Sequence, residues 1–485
     1  MIPGLSILAD AAIDAAQAAD EPQTRLSIFE GYIGVLVVAF LVTLFATPLM
    51  RRLAVANGVV DRPTDPRKIH RAPVAYLGGV AVFLGLMGGL CYSYLAMKFP
   101  YLIDFHKASV GHLHEGVFHE PVPISVVLGI IVIMLVGVLD DVAGISPRVK
   151  IGGQLFAAAA LAYESVGVKL AAGVLVPLAR SLGVHVQVLA DKSETIAFQI
   201  PLPVHILGVD SINVDVIYWA GTAIIAVAVL GLCNASNLID GLDGLLSGTT
   251  AIASIGLLVL ALGLAMADDG PRDAQRIVLC LAVLGACLGF LPHNFNPANI
   301  FLGDAGSLLL GFVTCVIILT LGDTGKTHLV AAGLIIYAVP IIDTTLAIVR
   351  RKMAGKSISA ADDQHLHHML KRALGVKGAV LALYGISAVF AVIGAAVSLG
   401  RARIVYLLAL VLAAYIGVTA IKIARRQAIE QEATDADKAR SKPKAPPPEP
   451  REDEPQKNEA SEKEEPPSRP ILVGSVKSSS TTSAG

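Results

Sequence analysis

Four short polar clusters interrupt an otherwise apolar chain, and their residue types suit phosphoryl transfer. Asp140 and Asp141 are adjacent carboxylates; Asn234, Asn237, Asp240 and Asp243 recur at intervals of three; Asp304 stands between Gly303 and Gly306, with Ser307 after it; His365, His367 and His368 follow Asp362 and Asp363. Adjacent carboxylates repel, a cost tolerated where a cation or a transferable proton sits between them and their partners. An interval of three points several oxygens one way from a helical turn or a glycine-relieved loop. A polar turn between two helices does not account for that recurrence. The glycines beside Asp304 would let backbone N–H groups approach a ligand at a helix N-terminus, which favours phosphate. A plain N-cap by Asp304 or Ser307 is the competing account.

Cations accompany these oxygens. Arg67, Lys68 and His70 precede Gly78 and Gly79; Lys150 opens a helix and shares a face with Gln154, four residues on; Arg350 and Arg351 precede the histidines. Clustered imidazoles and guanidinium groups suit phosphate or pyrophosphate, although three close histidines also resemble a metal site and the basic loops also serve to set topology. Carboxylates able to hold Mg²⁺ beside cations able to hold phosphate are what phosphoryl transfer requires, because its catalysis is mostly positioning and charge neutralisation.

The elements that must position these groups are membrane helices. With 54% hydrophobic and 16% charged residues over 485 positions, the chain is too apolar for a soluble protein, whose charged fraction is about 25%. The mean hydropathy is +0.67. The sequence predicts an all-α polytopic membrane protein with spans near 29–49, 77–97, 122–139, 151–168, 215–233, 245–266, 276–292, 306–321, 328–349, 376–399 and 403–423, about eleven helices. Lys and Arg concentrate in the odd-numbered loops (Arg51, Arg52, Arg62, Arg67, Lys68 and Arg71; Arg148 and Lys150; Arg350 to Lys356, Lys371 and Arg372). By the positive-inside rule those loops are cytoplasmic, the N-terminus is outside and the C-terminus inside. All four polar clusters then share the cytoplasmic face.

Residues 1–27 read as an external segment without the basic start and immediate apolar core of a secretory leader. The transferase-like part spans 28–424. Residues 425–485, rich in Glu, Lys, Pro and Ser, read as a disordered cytoplasmic tail. The fourth loop, 169–214, alternates apolar and polar residues and suggests a small external β-hairpin. His106, His112, His114 and His119 in the second loop have no ligand spacing and read as exposed loop residues. The five cysteines lie in or beside apolar spans and read as packing residues.

Lys68 to His70, Gly78 and Gly79, Asp140 and Asp141, Lys150, Asn237 to Gly244, Gly303 to Ser307, Asp343 and Thr344, and His365 to His368, in that order, resemble the polyprenyl-phosphate N-acetylhexosamine-1-phosphate transferases over residues 29–424. The resemblance implies transfer of a sugar 1-phosphate from a UDP-sugar to undecaprenyl phosphate in the bacterial cytoplasmic membrane, with release of UMP, as the first membrane step of a cell-envelope glycan pathway. It implies Mg²⁺, with Mn²⁺ as a substitute, held by Asp304 and Asn237. Asp140, Asp141 and Asp304 would be catalytic, Asp140 orienting or deprotonating the lipid phosphate. Lys68, His70, Lys150, Asn237, Asp240, Asp243, His365, His367 and His368 would bind substrate. The partners implied are the UDP-sugar, the polyprenyl phosphate and membrane lipids, with no nucleic acid; a homodimer is compatible with the family. Ala75, Tyr76, Asp363 and Met369 depart from the family pattern. The pattern is nearer the branch using UDP-GlcNAc than the branch using UDP-MurNAc-pentapeptide. A transporter would instead scatter its ionisable groups near the bilayer midplane.

Overall fold

A computed structural model of the chain describes residues 24–61, 73–99, 101–105, 121–188, 194–206, 209–267, 270, 272–353, 355 and 365–441. It is an all-α polytopic membrane protein. The helices are α1 (Arg25–Ala56), α2 (Gly78–Ala96), α3 (Ile124–Ala143), α4 (Pro147–Tyr163), α5 (Ala172–Ser181), α6 (Val216–Ile239), α7 (Leu245–Met266), α8 (Asp273–Asn294), α9 (Gly303–Thr320), α10 (Thr327–Ile336), α11 (Ala338–Met353), α12 (Leu366–Ser398) and α13 (Ala402–Ser441). Among the described residues nine helices are long and apolar enough to cross a membrane, and two bent pairs raise the number to eleven if each pair is one span.

Those bends are the main departures from the expected spans. The stretch 151–168 is straight only to Tyr163, then turns by 82° into 168–181, with Ser165 and Gly167 at positive φ. The stretch 328–349 breaks by 81° between Ile336 and Ala338. Pro340, near the start of α11, has no N–H to give the Ile336 carbonyl, and its ring crowds that carbonyl, so the helix cannot run straight through. α12 likewise joins two helical pieces at Gly375.

The core lies along α8 and α9, which are buried almost throughout. α9 packs on α2, α3 and α6, and α8 on α1, α2 and α7. Close approach depends on small residues. A Cβ on Gly79 would lie 2.1 Å from the Gly306 nitrogen, and one on Gly137 2.3 Å from the Ala305 Cα, so α2 and α3 meet the first turn of α9 backbone to backbone.

At the far end of α9 a buried ionic network ties the bundle. Arg272 Nε contacts Asp323 Oδ2 at 2.5 Å, Asp323 Oδ1 accepts from the Gly167 N–H at 2.9 Å, and Arg276 pairs with Asp273 while donating to the Thr320 carbonyl at 3.0 Å. The 18 residues of α9 separate this network from Asp304 by about 27 Å.

The expected hairpin forms: β5 (Ala197–Ile206) pairs antiparallel with β6 (Val209–Asp215), Ala197 opposite Asp215, after short strands β3 (Gln187–Val188) and β4 (Glu194–Thr195). The helix α5 in the same loop lay outside the sequence reading. β1 (Val60–Asp61) and β2 (Val74–Ala75) pair at the two ends of the first loop, and Ala75 bridges to Ile300. The described residues up to Glu430 form one compact unit, and those from Gln431 on belong to a second. α13 extends to Ser441, so residues 425–441 are helical where a disordered tail is expected; this stretch is dense in Ala, Arg, Gln, Glu and Lys, the good helix formers. The remainder of the tail, the second-loop histidines, Lys68 and His70 fall outside the described residues.

Gly79→Ala is expected to lower stability by about 1–3 kcal/mol through overpacking. Gly231→Ala, whose Cβ meets nothing within 4 Å, should not. Thermal unfolding of the purified variants in one detergent checks both.

Candidate active site

Five segments deliver polar side chains to one end of the bundle. α3 and α6 arrive there with Asp140, Asp141 and Asn237 in their last turns, α4 and α9 leave with Lys150 and Asp304 in their first, and the α6 to α7 turn carries Asp240 and Asp243. Lys150 Nζ lies 2.6 Å from Asp140 Oδ2 and 2.5 Å from Asp304 Oδ2, bridging the two carboxylates. Asn237 Nδ2 donates to Asp304 Oδ1 at 2.8 Å and to Ser307 Oγ at 3.0 Å. Both Asp304 oxygens are thus oriented from opposite sides. Asp140 Oδ1 accepts from the Ile145 N–H at 3.0 Å, which fixes the turn between α3 and α4. Asn234 donates to Gln154 Oε1 at 2.9 Å, tying α6 to the helix that carries Lys150.

Asp141 does something other than expected. Its Oδ1 accepts from the Asp304 N–H at 2.7 Å and its Oδ2 from the Ala305 N–H at 3.0 Å. It is the N-terminal cap of α9, contributed by a different helix, and it fills the position that the glycines around Asp304 suggested for phosphate. Gly303 sits at φ +71°, and a Cβ there would lie 2.5 Å from Asp141 Oδ2, so the glycine is what lets the carboxylate reach the helix end.

The interval of three also resolves differently from a single row of oxygens. α6 ends at Ile239, and Gly244 at φ +78° turns the chain into α7. Asn237 therefore faces Asp304, whereas Asp243 Oδ2 accepts from Asn296 Nδ2 at 2.8 Å and the Ala298 N–H at 3.0 Å. Asp243 holds the segment before α9. Asn294, which sequence reasoning missed, links the same parts: its Oδ1 accepts from the Gly244 N–H and its Nδ2 donates to the Ile300 carbonyl. Burial first, then the charges of Asp304, Asp141 and Asp243, push the Asp240 carboxyl up to about 8.

Tyr76, noted in the sequence only as a departure, stands beside the cluster: burial and the charges of Asp61, Asp141, Asp304 and Asp240 all raise its hydroxyl pKa. The chain on either side of it is stitched to the start of α9, with Phe301 N–H donating to the Ala75 carbonyl at 2.8 Å and Gly79 N–H to the Leu302 carbonyl at 2.7 Å. The segment from Ala75 to Gly79 is therefore anchored next to Asp304.

His365 and His367 are nearly inaccessible, 4% and 2% exposed. Both rings turn Nδ1 to Asp343 Oδ2, at 3.0 and 3.3 Å. A Cβ on Gly241 would lie 2.5 Å from His367 Nε2, which puts this ring against the Asp240 to Asp243 turn. The backbone of His368 lies in the first turn of α12, while its side chain is outside the described residues.

Asp304 and Asn237, in contact at 2.8 Å, carry hard oxygen donors of the kind Mg²⁺ takes, whereas among the described residues the three acidic or histidine side chains whose ligand atoms all lie within 4.8 Å of one another are Asp343, His365 and His367. Among the described residues Lys150, between Asp140 and Asp304, is the cation of the Asp304 cluster.

The sequence matches the model of glycosyl transferase family 4 over residues 123–322. A probable undecaprenyl-phosphate N-acetylglucosaminyl 1-phosphate transferase of Bacillus subtilis is 32% identical, over 74% of this chain and 83% of its own. A decaprenyl-phosphate N-acetylglucosaminephosphotransferase of Mycobacterium tuberculosis is 33% identical, over 68% and 74%. A phospho-N-acetylmuramoyl-pentapeptide-transferase of Bacillus cytotoxicus is 27% identical, over 69% and 87%.

Asp141→Ala is expected to lower stability by about 0.5–2 kcal/mol, as loss of a cap does, and activity with it. Asp140→Asn should lower activity with little change in unfolding temperature; measuring both quantities on both proteins separates cap from chemistry. Because the Asp240 pKa is higher folded than unfolded, its contribution to stability is full below about 4 and is lost as pH rises to about 8. Metal-free protein should therefore lose melting temperature across that range, less so in Asp240→Asn, and added Mg²⁺ should restore most at the upper end.

Proposed function

Because the chain belongs to the polyprenyl-phosphate N-acetylhexosamine-1-phosphate transferase family, we propose that it transfers N-acetylglucosamine 1-phosphate from UDP-GlcNAc to undecaprenyl phosphate, releasing UMP. The observation that carries this reading is Lys150 bridging Asp140 and Asp304 at one end of a membrane bundle, where a lipid phosphate and a soluble nucleotide can meet. Relatives named for N-acetylglucosamine transfer are 32% and 33% identical, against 27% for the one named for the muramoyl pentapeptide, which favours the smaller donor. The concentration of Lys and Arg in the same loops favours a cytoplasmic site in a bacterial inner membrane. The transferase occupies residues 28–424.

In the proposed reaction a lipid phosphate oxygen attacks the sugar-bearing phosphorus of the donor in line. The new P–O bond forms as the bond from that phosphorus to the bridging oxygen breaks, and UMP leaves with the bridging oxygen. Asp140 orients the lipid phosphate and takes its proton when it carries one. Lys150 offsets the charge of the approaching phosphates, and Asp141 keeps Asp304 in place by capping α9. Asp240, with the turn that Asp243 shapes, receives the nucleotide. Asp304 and Asn237 would hold Mg²⁺, which supplies charge neutralisation at the donor diphosphate. A transporter reading is disfavoured because the carboxylates gather at helix ends on one side of the bundle.

Purified protein given Mg²⁺, undecaprenyl phosphate and a panel of radiolabelled UDP-sugars is expected to form a lipid-linked product with UDP-GlcNAc. Asp304→Asn and Asp140→Asn should each lower turnover by about 100-fold or more, the scale of losing one stabilising group in a preorganised site. Full activity in either variant, or product from UDP-MurNAc-pentapeptide alone, overturns the assignment.

A further inference from the structure

Asp343 lies on α11 with no exposed surface, and nothing in the reaction above uses it. A buried carboxylate is costly unless donors fill its lone pairs. Here three do. Oδ2 receives Nδ1 of His365 and of His367, and Oδ1 accepts from the Leu366 N–H at 2.7 Å, so the same group also caps the start of α12. The two imidazoles stack, with centroids 5.3 Å apart and planes 23° from parallel. Neither has the surface to lie along a substrate.

What the arrangement fixes is direction. A carboxylate that accepts from Nδ1–H selects the tautomer and rotation of an imidazole, and loss of the carboxylate releases both. With Nδ1 held, Nε2 of His367 is pressed against Gly241, where even a methyl group would lie at 2.5 Å. Gly241 is flanked by Asp240, on the turn assigned above to the nucleotide. Two imidazoles and a carboxylate can also hold Zn²⁺. Yet both Nδ1 atoms face one oxygen at hydrogen-bond distances, and among the described residues no fourth donor joins the three.

We infer that Asp343 is a positioning residue of the donor site: it holds His365 and His367 as Nδ1–H tautomers, and through His367 Nε2 it sets the Asp240 to Asp243 turn in the shape that receives the UDP-sugar. This rests on the proposed function. The clamp predicts that damage to Asp343 is read at the donor and not at the lipid, since the lipid phosphate is served by Asp140 and Lys150.

The test uses the full chain in nanodiscs with Mg²⁺, UDP-GlcNAc and undecaprenyl phosphate. Asp343→Asn, nearly isosteric, is expected to raise KM for UDP-GlcNAc at least tenfold and to leave KM for the lipid within twofold. His367→Ala should do the same, and the double variant should be no worse than the worse single, because both remove one device. Gly241→Ala should raise the donor KM in the presence of His367 and have no further effect in the His367→Ala background, where the methyl group has room. This pair keeps the test available if Asp343→Asn does not accumulate. Multiplying single effects, donor and acceptor KM rising together with a fall in melting temperature, or a stoichiometric transition metal lost from Asp343→Asn would each overturn the clamp. Wild-type protein that turns over no UDP-sugar would instead overturn the proposed function, a result obtained before any variant is made.

Discussion

Holding several carboxylates together at the end of a helix bundle is the constraint on which the rest of this structure depends. Asp140, Asp141, Asp240 and Asp304 repel one another in a partly desolvated place; burial first, then the charges of Asp304, Asp141 and Asp243, raise the Asp240 pKa. The repulsion is countered locally. Lys150 takes one oxygen each from Asp140 and Asp304, two backbone N–H groups satisfy Asp141, and the Asn237 amide holds the other oxygen of Asp304. Each stabilising group comes from a different element, so the cluster exists only if α3, α4, α6 and α9 converge.

That convergence rests on backbone proximity. Gly79, Gly137, Gly303 and Gly306 sit where α2, α3 and α9 approach too closely for side chains, and the Asp141 cap spans the gap that Gly303 opens. At the opposite end of α9 the Arg272, Asp323, Arg276 and Asp273 network ties this helix to α8 and to the turn after α4. Buried ion pairs add little net stability but penalise alternative registers, since any slip leaves a charge unpartnered. The two ends of α9 thus define where Asp304 stands relative to the membrane-spanning part of the chain.

The histidine segment illustrates a division of labour among polar residues of similar appearance. Read as residue types, His365 and His367 look like phosphate contacts; in the fold they are buried partners of Asp343. Asp141 and Asp243 likewise look like further members of an acidic site, and each instead satisfies backbone or amide donors that shape it. Among the described residues, the proposed substrate contacts are Asp140, Lys150, Asn237, Asp240 and Asp304.

Hydropathy and spacing determined the helical membrane architecture, the helix-end location of the clusters and the hairpin before α6, because these follow from contiguous residues whose solvent preference is a local property; the family showed in the sequence only as a resemblance carried by the identities and order of the motifs. The bends after Tyr163 and Ile336 were weakly legible, since apolar composition continues across them and only Gly167 and Pro340 mark the change. Tertiary structure alone decided which carboxylate does what. Lys150 and Asp304 are 154 positions apart, Asp141 and Asp304 163, and Asp343 and His367 24. Whether an acid caps a helix, pairs with a lysine or aligns an imidazole depends on donors brought from distant segments, and no spacing along the chain encodes them.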